Sequence, residues 1–329
     1  MLSSPKSRRD ESAASGALSI LLPVRNAQRT VGAALQDMLA CIDVGDEILV
    51  VDDGSSDDTP RILAQLHKAH PTIRVLTTSG LGLVGALNLG LLESSHRWVA
   101  RADADDRYPI GRLRRQRAAI TSQVVLVTGD YCVRSGARLL GNIPCAITPP
   151  FVVASLIHPH RVPHPGVLLD REAALSVGGY QDEDFPAEDL GLWLRLAHAG
   201  NFVGVPTRVV DWTMAASSIT HTRQATQRRK TAELLQSRFP IEVVLPITAH
   251  DVQRELAAFV GTPLESMRRL LLARDLHALE LKGVDSKATK VARTSLLRTP
   301  WRSASAARQL YLDKRQRDRV RERFNNATR

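Results

Sequence analysis

Aromatic residues are scarce in this chain: Phe, Trp and Tyr make up 4% of 329 residues, so Leu, Val, Ile and Ala must supply most of the core. Cysteine is almost missing as well. Cys41, Cys132 and Cys145 are odd in number and lack metal-ligand spacing, which leaves buried reduced thiols and fits the cytoplasm. Long apolar runs are absent. The most apolar stretch, residues 81–92, is too short to span a bilayer and is broken by Gly82, Gly85, Asn88 and Gly90. Residues 1–16 are Ser, Ala and charge without an apolar segment; they are expected to form a short disordered leader, not a secretory signal.

What is present is an ordinary globular composition, 43% hydrophobic, on a length that suits one large domain or one domain with an appendage. Charge divides the chain. Residues 1–221 carry 21 Lys and Arg against 23 Asp and Glu, whereas residues 222–329 carry 23 against 11, so all the excess positive charge lies in the last third. Two functional regions are implied.

Short apolar runs at 18–24, 47–51, 73–77, 98–101 and 124–128 have strand length, and residues 29–42, 61–70 and 84–94 carry helical spacing between them. Strand and helix in alternation predict an α/β fold, an open sheet with helices on both faces. Residues 144–166, rich in Pro and His, read as an ordered loop region, and 190–199 as a helix preceded by Glu188-Asp189. From 222 the pattern is helical and basic, with helices expected over 231–235, 252–260, 266–281 and 306–324.

In open α/β sheets ligands bind beyond the carboxyl ends of the strands. Two acidic clusters fall at such ends. Asp103-Ala104-Asp105-Asp106 crowds three carboxylates into four residues, which is unfavourable unless a cation neutralises them; hard oxygen donors suit Mg²⁺ or Mn²⁺. The bland reading is an acidic solvated turn. Asp52-Asp53-Gly54-Ser55 follows the second strand, where a carboxylate can bond ribose or base and Gly54 permits close backbone approach. Capping of the next helix by Asp57, Asp58 or Thr59 is compatible with that role. Glu188 and Asp189 read either as helix-start carboxylates or as a general base for an acceptor hydroxyl, and sequence barely separates the two.

Other motifs compete. Gly80-Leu81-Gly82-Leu83-Val84-Gly85 matches the dinucleotide fingerprint, with Asp103 downstream at a suitable distance for an NAD-dependent dehydrogenase. It is not the first strand–helix unit, however, and a dehydrogenase has no need of the other carboxylate clusters. His158, His160 and His164 alternate with prolines in a spacing that fits no standard zinc site. His164 reads better as a substrate-loop or packing residue.

Taken together, LSILLPVRN at 18–26, VDDGS at 51–55, Asn88, DADD at 103–106, His164-Pro165, Gly178-Gly179-Tyr180 and EDLGLWLR at 188–195 resemble the bacterial-type family 2 glycosyltransferases of the GT-A fold. The likeness covers about residues 17–222, with 223–329 as a basic helical C-terminal region and the sheet expected to be mixed but mostly parallel. It implies inverting transfer from a UDP-, GDP- or dTDP-sugar to a glycan or lipid-linked acceptor, with Mn²⁺ or Mg²⁺ as cofactor. By resemblance, the donor is bound by Pro23, Asn26, Asp53, Gly54, Ser55, Asn88 and Asp103. The same likeness makes Asp103 and Asp105 the metal pair, with Asp106 as a substitute. Asp189 is then the general base, and Glu188 and His164 position the acceptor or base.

Two departures stand out. Leu83 and Val84 occupy a place where many relatives carry a basic residue, and Trp212 is followed by Thr213 where an aromatic-Arg pair is common; Arg25, Arg101 or the basic region would then meet the phosphates. A sugar-nucleotide pyrophosphorylase would need a Gly-rich phosphate loop after the first strand, where this chain has Pro23-Val24-Arg25-Asn26. A binding protein that kept the fold without turnover is the non-enzymatic alternative. For the basic tail the readings are a solvated subdomain packed on the core, peripheral contact with an anionic membrane at its inner face, or binding of a glycan polymer, a partner protein or nucleic acid nonspecifically; no specific nucleic acid is expected.

Overall fold

The computed structural model describes residues 16–136, 138–158, 161–214, 223–239, 249–259, 272 and 276. Four parallel strands, β1 (Leu18–Val24), β2 (Glu47–Asp52), β3 (Ile73–Thr77) and β4 (Trp98–Arg101), stand in the order β3-β2-β1-β4. β7 (Leu168–Asp170) then joins antiparallel between β4 and β5 (Val124–Ser135). β6 (Arg138–Ile143) pairs antiparallel with the far half of β5, and β8 (Asn201–Thr213) lies parallel along its other edge. Four of the seven pairings are parallel, which makes the sheet mixed and mostly parallel as expected.

Both faces are covered because the strands are apolar on both sides. Along β1, Leu21 packs into one cluster with α3 (Gly82–Glu93), α5 (Pro149–Ser155) and α7 (Glu188–Leu196). Ile20, Leu22 and Val24 pack into the other, with α1 (Val31–Leu39), α2 (Thr59–Ala69) and α4 (Arg112–Arg117). This two-residue alternation is the strand period, and it explains why the runs look uniformly hydrophobic in sequence. α3 lies so close to β1 that a Cβ on Gly90 would overlap the Leu21 side chain. α6 (Arg171–Ser176) follows β7, and its N-terminal Glu172 and Ala173 N–H groups donate to Asp170.

Three expectations are corrected. The fifth strand does not stop at 128 but continues to Ser135, since its second half is held by the hairpin partner β6 and by β8, which is remote in sequence. The 144–166 segment is not all loop: Pro149 and Pro150 open α5, where the N–H that proline lacks would be unpaired anyway. α7 starts at Glu188, so Glu188 and Asp189 form its first turn instead of preceding it.

The C-terminal third packs on the core wherever it is described. α8 (Gln224–Ser237) buries Leu234, and Leu272 and Leu276 are helical and buried in the same cluster. α9 (Ala249–Phe259) presents Glu255, 1% exposed, whose carboxylate accepts from Ile147 N, Thr148 N and Thr148 Oγ1 at 2.9, 2.7 and 2.5 Å. It thereby neutralises the start of α5. The expected helix at 306–324 and most of 266–281 lie outside the described residues, as do most of the Lys and Arg residues of 222–329 on which the membrane reading rests. Among the described residues no helix is long and apolar enough to cross a membrane.

Candidate active site

A cleft of about 720 Å³ opens at the carboxyl ends of β1 and β4. One wall is the segment from Pro23 to Thr30, following β1. The floor holds Arg101, Asp103 and Asp105. The opposite wall brings His164, Glu188 and Asp189, with Tyr131, Trp212 and, from α8, Gln227. The carboxylates that sequence places at positions 103–105 and 188–189 therefore face one space.

The three acids after β4 are distinct in setting. Their ligand oxygens lie within 4.8 Å of one another. Burial, then the neighbouring Asp103 charge, pushes Asp105 up to about 6. Asp106 is pushed well above the usual carboxylate range by burial and by both neighbours. It is 1% exposed; Oδ1 accepts from Thr213 N at 2.7 Å, while Oδ2 has no hydrogen-bond partner. Asp106 thus also ties the end of β8, beside Trp212, to the floor. Crowded hard oxygens with one buried acceptor unused fit a divalent cation, because a cation would relieve the repulsion that adds to burial in raising both pKa values.

Glu188 is 7% exposed, and burial followed by the Asp189 charge pushes it up to about 7. Such a group binds more protons folded than unfolded, so its carboxylate form opposes folding as pH rises from 4.5 toward 7. Glu188→Gln is therefore expected to match the wild-type melting temperature near pH 5 and to exceed it by a few degrees near pH 8 in EDTA, on the order of 2 kcal/mol. Equal melting temperatures at both pH values would mean that Glu188 is not held protonated. Asp189 Oδ1 accepts from Leu190 N at 2.7 Å, which orients the carboxylate at the helix start.

Several expected donor residues serve the scaffold. Asn26, at φ 53°, accepts from Ser56 N at 2.8 Å, and its own N–H donates to Ser55 Oγ at 2.9 Å. Ser55 Oγ also donates to Asp52 at 2.6 Å. The loops after β1 and β2 are stitched together in this way, and Pro23 and Asn26 reach the cleft wall while Gly54 and Ser55 lie outside its lining. Asp53 is absent from the lining too. Its carboxylate accepts from Thr78 Oγ1, Leu81 N and Gly82 N at 2.6, 2.5 and 2.9 Å, with Arg25 at 3.7 Å. A carboxylate thus occupies the start of α3, where a dinucleotide pyrophosphate would need to sit, and this removes the physical basis of the dehydrogenase reading.

Asn88 likewise lies away from the lining. Its amide makes a pair of bonds to the Tyr180 backbone, 2.8 Å from Nδ2 to the carbonyl and 2.9 Å from Tyr180 N to Oδ1. Gly179, at φ 62°, passes so close that a Cβ would stand 2.6 Å from Asn88 Oδ1. The held Tyr180 hydroxyl is 2.9 Å from His164 Nε2. Burial and the Arg101 charge keep His164 well below its ordinary pKa, hence neutral. His158 lies instead beside a small cavity with Arg161 and Trp193, and His160 is outside the described residues.

Sequence reasoning missed Gln227, since α8 is a polar helix with no motif, and the cleft position of Tyr131, which no local pattern marks. The loop before α7 is tied to the region after α8: Asp184 bonds Arg195 at 2.5 Å and Arg238 at 2.8 Å.

Comparison with known proteins agrees with this geometry. Residues 19–141 match the family model described as glycosyl transferase family 2. Over that span the chain is similar to family 2 glycosyltransferases. The amylovoran biosynthesis glycosyltransferase AmsE of Erwinia amylovora is 28% identical over 184 residues, 54% of this chain and 68% of that protein. The poly-beta-1,6-N-acetyl-D-glucosamine synthase of Staphylococcus epidermidis is 26% identical over 212 residues, 61% of this chain but 51% of that protein, so the chain spans about half of that relative's length. In fold, the chain superposes on S. aureus TarS 1-349 in complex with UDP-GlcNAc, with a TM-score of 0.54 at 15% identity over 85% of this chain and 88% of the other.

Proposed function

We propose that this chain is a family 2 glycosyltransferase that moves a sugar from a UDP-, GDP- or dTDP-sugar to a hydroxyl of a glycan or lipid-linked acceptor, with inversion at the sugar carbon, in the biosynthesis of a polysaccharide or cell-surface glycan. The observation that carries the reading is the meeting of two carboxylate groups, Asp103 with Asp105 and Glu188 with Asp189, across one cleft. The names of the relatives, both assigned to glycan synthesis, support the acceptor class.

In this reading the 23–30 wall receives the nucleoside, and Arg25 and Arg29 at the rim lie within reach of phosphate charge. Asp53 acts from behind by fixing the turn at 78–82. Asp103 and Asp105 would hold Mn²⁺ or Mg²⁺, with Asp106 behind them. Bound there, the cation would supply positive charge to the departing diphosphate. Asp189 takes the proton of the acceptor hydroxyl as its oxygen bonds the sugar carbon and the carbon–phosphate-oxygen bond breaks. Glu188, holding its proton near neutral pH, donates a hydrogen bond that places the acceptor or Asp189. Neutral His164 closes the wall without adding charge beside the developing positive sugar carbon. One base on one wall and one leaving group on the other give a single displacement, hence inversion.

A thermal-shift panel of UDP, GDP, dTDP and NAD, each with Mn²⁺, Mg²⁺ or EDTA, tests this. Stabilisation by one nucleoside diphosphate that needs the metal is the expected result. A shift with NAD alone, or none with any nucleotide, would overturn it.

A further inference from the structure

Arg101 ends β4 at the cleft floor, and its position is set by the sheet. Its N–H donates to Val167 O at 2.9 Å, and its carbonyl accepts from Gly166 N at 3.0 Å. The side chain is 2% exposed, contacts the Asp103 carboxylate directly, and leaves Nε without a hydrogen-bond partner. It shares the lining with Asp105, His164, Glu188 and Asp189. A guanidinium keeps its charge at any working pH, and with Asp103 against it Arg101 is a permanent cation. The other arginines in the lining, Arg25 and Arg29, are exposed at the rim.

A fixed positive charge bound to Asp103 has two opposed effects on a second cation. It neutralises part of the acidic cluster, which lets the cluster fold without metal. It also repels a divalent ion a few ångströms away, where a unit charge at an effective dielectric of about 20 changes a binding constant by tenfold or more. An arriving diphosphate reverses this balance, because its own charge offsets the guanidinium and its oxygens complete the ligand set.

We propose that Arg101 is a resident cation that competes with the divalent metal for Asp103, so that metal and nucleoside diphosphate load together instead of metal first. This rests on the transferase reading of the cleft. Reciprocal linkage then requires each ligand to tighten the other by the same factor. Arg101 acts here as a positioning and gating residue, with no part in bond making.

The test is calorimetric titration of the full chain with MnCl₂, alone and with saturating UDP or GDP, for the wild type, Arg101→Lys, Arg101→Met and Arg101→Gln. Mn²⁺ alone is expected to bind the Met and Gln variants at least tenfold more tightly than the wild type, with Lys within about threefold of it. The tightening caused by nucleotide is expected to shrink in the Met and Gln variants. Binding of Mn²⁺ that is unchanged or weaker in both would overturn the inference and reduce Arg101 to a support for Asp103. Should the uncharged variants fail to fold, wild-type Mn²⁺ affinity that is the same with and without either nucleotide overturns it. A wild type that takes up no Mn²⁺ under any condition sinks the metal-assisted reading of the cleft itself, a different failure.

Discussion

Asp105→Ala is expected to lower turnover by about three orders of magnitude and to abolish metal-dependent stabilisation by the nucleotide. A cation at a leaving diphosphate supplies several kcal/mol of charge stabilisation, and about 4 kcal/mol corresponds to a thousandfold in rate. Asp105 lies in the cleft beside Asp103 and carries a pKa raised to about 6, first by burial and then by the Asp103 charge. The control follows from the same observation. Because the ionised Asp105 opposes folding of the metal-free protein above its unfolded pKa of 3.8, Asp105→Asn should melt at or above the wild-type temperature in EDTA at pH 7. A dead enzyme that is no less stable separates lost chemistry from lost fold. Retention of more than a tenth of turnover in Asp105→Ala, measured as nucleoside diphosphate release, would show that the cluster is only an acidic turn.

Asp189→Asn is expected to reduce kcat by about 10²- to 10⁴-fold while the nucleotide binds within about threefold of wild type, because only proton removal from the acceptor is lost. The donor wall at 23–30 and the floor at 103–105 do not involve Asp189, so separate effects on binding and turnover are built into the arrangement. Glu188→Gln should fall less far, since the amide keeps a hydrogen-bond donor where the protonated acid has one. The reverse order, with Glu188→Gln the more damaged of the two, would move the base to Glu188, whose pKa of about 7 also suits that task. Initial rates of the two variants against pH decide the matter.

The strands were legible because an internal parallel strand must be buried on both faces, as the runs at 18–24, 47–51 and 98–101 are, while the edge strand at 73–77 keeps an apolar run of strand length. β6, β7 and β8 were not: β6 pairs with the half of β5 that lies outside any apolar run, β7 is three residues long, and β8 finds β5 only across a long stretch of chain. The acidic clusters were visible as chemistry that burial would punish without a partner. Their division of labour was not visible. Asp53 and Asn88 look as much like ligand residues as Asp105 does, yet both are spent on backbone groups, at Leu81 and Gly82 and at Tyr180.

By itself, then, the sequence determined the class of chemistry: carboxylates at strand ends, alternating strand and helix, and a basic final third are properties of local composition and order. Only the tertiary structure decided which carboxylates share a cleft, that Arg101 stands buried among them, and that α8 closes a wall with Gln227. The physical reason is that desolvation and charge coupling depend on which groups are brought within a few ångströms of one another, and chain order does not encode that distance.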